Sequence, residues 1–103
     1  SKNTNNLQVQ IREVRPVGNI FKNEYRIRGT ISGRNIVSAG IYAQDRLVKP
    51  ITVRLHERQL TESSFAVRLQ ALEGEVEIRV IDSRGFVLEH PVEFPAKSLI
   101  PKF

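Results

Sequence analysis

Residues 75–94, Glu75-Val76-Glu77-Ile78-Arg79-Val80-Ile81-Asp82-Ser83-Arg84-Gly85-Phe86-Val87-Leu88-Glu89-His90-Pro91-Val92-Glu93-Phe94, decide the class of this chain. Val76, Ile78 and Val80 alternate with Glu75, Glu77 and Arg79, and beyond Gly85 the apolar Phe86, Leu88, Val92 and Phe94 again share a period of two. A period of two places alternate side chains on opposite faces of a strand. Between the runs, Asp82 and Ser83 supply side chains that bond their own backbone, and Gly85 supplies the positive φ a tight reversal needs. The stretch therefore predicts a β-hairpin.

The same alternation recurs upstream. Leu7, Val9 and Ile11 alternate with Gln8, Gln10 and Arg12, and the phase slips at Val14, as it does in a bulged first strand. Tyr25, Ile27, Gly29 and Ile31 form one face of a second strand and Glu24, Arg26, Arg28 and Thr30 the other, and Ser32-Gly33-Arg34-Asn35 marks a reversal. Ile36 to Ala43 alternates least, with Val37, Ala39 and Ile41 on one side and Ile36, Gly40 and Tyr42 on the other, which suits a central strand covered partly on both faces. Pro50 interrupts Leu47 to Leu55, so a fourth strand is predicted at Ile51 to Leu55 with an edge or a break before it, and Glu57 to Ser63 reads as a polar connection. Phe65, Val67, Leu69 and Ala71 alternate as the fifth strand. No apolar run repeats at 3.6 residues. The expected fold is all-β: a seven-stranded antiparallel sandwich with Greek-key connections, a small barrel being the alternative.

Composition sets the outer bounds. A chain of 103 residues buries about 60–70 % of its unfolded surface, enough for one core. Residues 1–6 are expected to form a flexible linker, 7–95 the domain and 96–103 a proline-stiffened tail or link. Cysteine is absent, which excludes disulfides, thiolate metal sites and a thiol nucleophile. Methionine is absent too, even at position 1, so the chain is expected to be excised from a longer one. It contains no apolar run of transmembrane length, and no membrane insertion by this fragment is expected.

Ile27-Arg28-Gly29-Thr30-Ile31-Ser32-Gly33, Val37-Ser38-Ala39-Gly40-Ile41-Tyr42, Phe65-Ala66-Val67-Arg68-Leu69 and Ile78-Arg79-Val80-Ile81-Asp82-Ser83-Arg84-Gly85 follow one another at intervals that resemble the bacterial immunoglobulin-like (Big-type) domains of Gram-positive surface and secreted proteins. Those domains carry Gly-Thr-x-x-Gly at the end of the second strand and Asp-x-x-Gly in the last hairpin. The resemblance departs after the hairpin glycine, where Phe86 replaces a frequent Asn. It implies an extracellular or cell-surface structural module, with an adhesion module or an accessory to a catalytic domain as alternatives. Its implied partners are neighbouring domains, an acidic cell-wall or surface polymer, or a protein. Antibody-type hallmarks are missing: there is no Cys pair and no Trp, and no tyrosine corner precedes the sixth strand.

The sequence predicts no catalytic, cofactor or metal residues. His56 and His90 stand alone, without a metal-spaced partner. Glu73, Glu75 and Glu77 share a strand face that solvation explains better than paired-carboxylate hydrolysis, and Asp45 and Asp82 are expected to form turns. Arg28-Gly29-Thr30 lies inside a strand, with Gly29 serving close packing. Charge, by contrast, is segregated. Residues 1–72 carry twelve Lys and Arg against five Asp and Glu, and residues 73–103 carry four against six, giving +7 and −2 and summing to the net +5. With the second, fourth and fifth strands in one sheet, Arg26, Arg28, Arg54 and Arg68, with His56, would form a basic outer face, and Glu75, Glu77, Glu89 and Glu93 would lie on the other sheet. The four arginines are candidate polyanion-binding residues. Aromatics are too few around them for base stacking, so sequence-specific nucleic acid is not an expected partner.

Overall fold

A computed structural model describes residues 6–19, 21, 23–53, 60–72 and 74–95. The linker and tail expected at 1–6 and 96–103 lie outside these residues, Asn6 apart. Seven antiparallel strands form two sheets: β1 (Gln8–Val17), β2 (Glu24–Arg34), β3 (Ile36–Ala43), β4 (Arg46–Pro50), β5 (Leu60–Gln70), β6 (Val76–Asp82) and β7 (Val87–Val92). One sheet has the order β1-β2-β5 and the other β4-β3-β6-β7, so the chain changes sheet after β2, β4 and β5. Neither sheet closes on itself, which makes the fold an antiparallel β-sandwich and not a barrel. No described helix is long and apolar enough to cross a membrane.

The core lies between the sheets and is built by the inward halves of the alternating strands. Ile27, Ile31, Phe65 and Leu69 from one sheet meet Ile36, Ile41, Val76, Ile78, Val80 and Val92 from the other, and Leu7 and Ile51 close the cluster. Gly29 sits directly opposite Phe65. A Cβ there would come within 2.9 Å of the Phe65 ring and press on the Gln10 carbonyl, so the glycine serves close packing, as its place on the core face implied.

Bulges correct the phase of two strands. In β1 the register shifts between Ile11 and Glu13, where the alternation slipped in the sequence. In β3 it shifts between Ile36 and Ser38. The extra residue, Val37, is pushed out to 54 % exposure, which lets Ile36 turn inward beside Ile41 despite its opposite parity. The weak alternation of β3 thus reflects a bulge, and Val37 does not share a face with Ala39 and Ile41.

Three expected boundaries change. The fourth strand is Arg46–Pro50, not Ile51 to Leu55, and it pairs with β3 in the four-stranded sheet instead of joining β2 and β5. Residues 51–53 are not strand, although Ile51 donates its N–H to Ala39 O at 3.0 Å. Pro50 is tolerated because β4 is an edge strand. The fifth strand begins at Leu60, so 60–63 is ladder and not connection: β2 runs on to Arg34 and is paired there with Leu60. Ser32 to Arg34 therefore belong to β2, and the change of sheet falls on Asn35 alone, at a φ of 56°.

Both predicted turns form. Gln44 and Asp45, each at positive φ, make the two-residue turn between Ala43 and Arg46. In the decisive hairpin, Gly85 N donates to Asp82 O at 3.0 Å and Asp82 N to Phe86 O at 3.1 Å. Gly85, at φ 86°, supplies the left-handed residue of a three-residue loop. Phe86, which follows it, packs partly buried against the core before β7 begins at Val87.

Candidate functional site

Directly opposed residues of an antiparallel sheet project to the same side, so the registers lay out the outer face of the three-stranded sheet. Its successive rungs are Gln8 with Ser32 and Glu62, Gln10 with Thr30 and Ser64, Glu13 with Arg28 and Ala66, Arg15 with Arg26 and Arg68, and Val17 with Glu24 and Gln70. One rung is thus three arginines abreast, one from each strand. Arg12, at the β1 bulge, adds a fifth arginine by donating from Nε to Thr30 Oγ1 at 3.4 Å, and Arg34, exposed at the far end of β2 with the same parity, a sixth.

Two carboxylates hold these cations. Glu13 Oε1 accepts from Arg26 Nη2 at 3.4 Å and lies 3.8 Å from Arg28 Nη1, while its Oε2 lies 3.8 Å from Arg15 Nε. Arg68 Nη2 donates to Glu24 Oε1 at 2.8 Å. Glu13 is therefore divided among three guanidinium groups. The side chains of Arg15, Arg28 and Arg68 keep exposures of 54, 57 and 59 %, so their remaining donors face solvent. Arg26, in the middle of the rung, is more enclosed, and its buried Nε has no acceptor among the described residues.

Of the expected basic residues, the structure brings Arg26, Arg28 and Arg68 together. Arg54 and His56 lie outside the described residues, and the strand meant to carry them into this sheet is instead β4, in the other sheet. The third strand of the basic face is β1, which contributes Arg15 and Glu13. Their signal was present in the phase slip at Val14: past a bulge, residues 13 and 15 take over the outward parity that 8 and 10 held before it.

The four-stranded sheet carries the opposite charge, organised around Arg79. Its guanidinium is hydrogen-bonded to Glu77 and Asp45, lies 3.4 Å from Glu89 Oε2, and rests 4.5 Å from the centroid of the Tyr42 ring. Hydrogen bonds to Glu77 and then Asp45 hold Arg79 still more firmly protonated than usual. Glu89 titrates above its ordinary range despite its contact with Arg79, because a hydrogen bond and charge repulsion from Glu77 outweigh that contact.

Two shallow grooves border this cluster. One, of about 290 Å³, runs between Tyr42, Gln44 and Asp45 on one side and Gly74, Glu75 and Glu77 on the other. The second, of about 350 Å³, is lined by Glu75, Glu77, Glu89 and Glu93, the four residues expected on the acidic sheet. Glu73 lies outside the described residues. A third groove, of about 410 Å³, opens between β1 and β7, where His90 lies beside Leu88, Gln8 and Gln10. No three His, Asp or Glu side chains among the described residues form a group that could hold a metal ion. Asp82 is 1 % exposed, and its Oδ1 accepts from Arg84 N at 2.9 Å and Phe86 N at 3.0 Å, so it organises its turn from inside. Tyr42 packs on the acidic face and Tyr25 is in the core, so neither lies among the arginines.

Comparison of the chain with protein-family models, with curated proteins and with solved structures gives no match.

Proposed function

We propose that this domain is a non-enzymatic immunoglobulin-like module of a larger bacterial surface or secreted protein, linking neighbouring domains and presenting its sheet faces to partners. The observation that carries this reading is the position of its two ends. Gln8, opening β1, pairs with Ser32 near the β2–β3 junction, whereas Val92, closing β7, pairs with Val76 near the β3–β4 turn. The chain enters at one pole and leaves at the other. The exit is tied down: Tyr25 Oη donates to Pro95 O at 3.0 Å, and the Tyr25 and Phe94 rings meet at 5.0 Å between centroids. A module with ends so placed extends a linear array by its own length. The resemblance of its strand motifs to bacterial immunoglobulin-like domains supports the same assignment and the extracellular setting.

A tandem fusion of two copies tests it. Each copy should unfold at the denaturant midpoint of the single domain, and small-angle scattering should give a maximum dimension approaching twice that of one copy. A fusion that folds back into a compact pair, or a single domain that does not fold alone, would overturn the proposal.

A further inference from the structure

We infer that the outer face of β1, β2 and β5 is a binding site for an acidic polysaccharide, centred on the rung formed by Arg15, Arg26 and Arg68. The inference rests on the interaction-module reading above and names the ligand class for one of its faces.

Like charges set directly opposite one another destabilise a sheet pair, yet here three arginines are abreast on adjacent strands. Their compensation is incomplete. Counting Arg12, Arg28 and Arg34, the face carries six arginines against Glu13, Glu24 and Glu62, and Glu13 serves three of them at 3.4–3.8 Å. An incoming sulfate or carboxylate would relieve the repulsion and take up the outward donors of Arg15 and Arg68. Neighbouring strands lie about 4.8 Å apart, a spacing on the scale of one sugar residue, so successive arginines of the rung meet successive residues of a glycan lying across the strands. Thr30 and Ser64, opposed two rungs away, offer hydroxyl groups on the same surface. The absence of any described aromatic side chain from this face removes the stacking platform that single-stranded nucleic acid uses. The acidic face of the opposite sheet, moreover, repels such a chain and confines it to this side.

The test is the binding of heparin oligosaccharides to the full 103-residue chain, followed by calorimetry across a salt series. Affinity should fall linearly in log–log form with a slope of about −2 to −4, for the few charges neutralised. The exposed pair Arg15→Ser with Arg68→Ser should weaken binding at least about tenfold at low salt, whereas Arg46→Ser with Lys49→Ser, which removes the same charge from the edge strand of the other sheet, should leave it within about twofold. Glu13→Gln should tighten binding, because it removes the carboxylate that competes with the ligand, whereas arginines serving only a structural network would give no gain. Equal losses in the two double variants, no binding at low ionic strength, binding of neutral dextran, or single-stranded DNA bound as tightly as heparin of equal charge would each overturn the inference. These outcomes leave the tandem fusion's behaviour untouched, and a folded-back fusion leaves the heparin result standing, so the two proposals fail separately.

Discussion

Asp82 and Gly85 divide the work of one turn between electrostatics and backbone freedom. Asp82 is buried with its carboxylate accepting two backbone N–H groups, so Asp82→Ala leaves those donors unpaired inside the protein. It should cost about 2–3 kcal/mol in urea unfolding. Gly85 has nothing within 4 Å of the place a Cβ would occupy, so Gly85→Ala should cost only the left-handed conformational penalty, about 1–2 kcal/mol. Equal, negligible losses would show that the loop does not hold the hairpin. Both residues were legible in the sequence as turn formers. What the sequence did not disclose was burial: an Asp in a solvated turn and an Asp sealed beneath it are spelled alike, and only the folded chain, where Ser83 N donates to Asn35 O at 2.8 Å and Asp82 is 1 % exposed, tells them apart.

At the level of strands, legibility followed parity. The inward sets of β2, β5 and β6 were read correctly because an uninterrupted period of two fixes every side chain once one is placed. Where a bulge resets the phase, as at Val37, the grouping fails at the bulge: Ile36 belongs with Ala39 and Ile41, and Val37 does not. The fourth strand was misplaced for a different reason. Leu47 to Leu55 has apolar residues on both sides of Pro50, and propensity alone does not say which side finds a ladder partner. The Arg79 cluster was missed although it was within reach, since a three-residue loop after Asp82 sets Arg79 opposite Glu89.

That cross-strand cluster has a pH signature. The native pKa of Glu89 is raised, so its contribution to stability is fully present below its ordinary value of 4.5 and is lost as pH rises through the raised native value. Glu89→Gln keeps a hydrogen-bonding partner for Glu77 without the repulsion. The variant should therefore exceed the parent chain in urea midpoint at pH 7, with the advantage gone near pH 4. An advantage equal at both pH values would mean that the neighbourhood of Glu77 is not what raises Glu89.

For the molecule as a whole, the hydrogen bond from Tyr25 to Pro95, with the ring contact to Phe94, joins the first residues of β2 to the chain leaving β7. Tyr25→Phe keeps the ring against Phe94 and removes only the hydroxyl. It should lower stability by about 1 kcal/mol and speed proteolytic trimming back to Phe94, with protection of the core strands unchanged. Loss of core protection instead would mean that the hydroxyl supports the whole sandwich and not its exit alone.

The separation of charge between the sheets gives the domain a transverse electric polarity, perpendicular to the line joining its two ends. Beside a negatively charged surface such a body lies on its arginine side, with Glu77 and Glu89 turned outward. The axis through Gln8 and Val92 then runs along the surface and not away from it. A series of such modules would be drawn flat as a carpet, and would stand upright as a stalk only where salt or a bound anion cancels the pull.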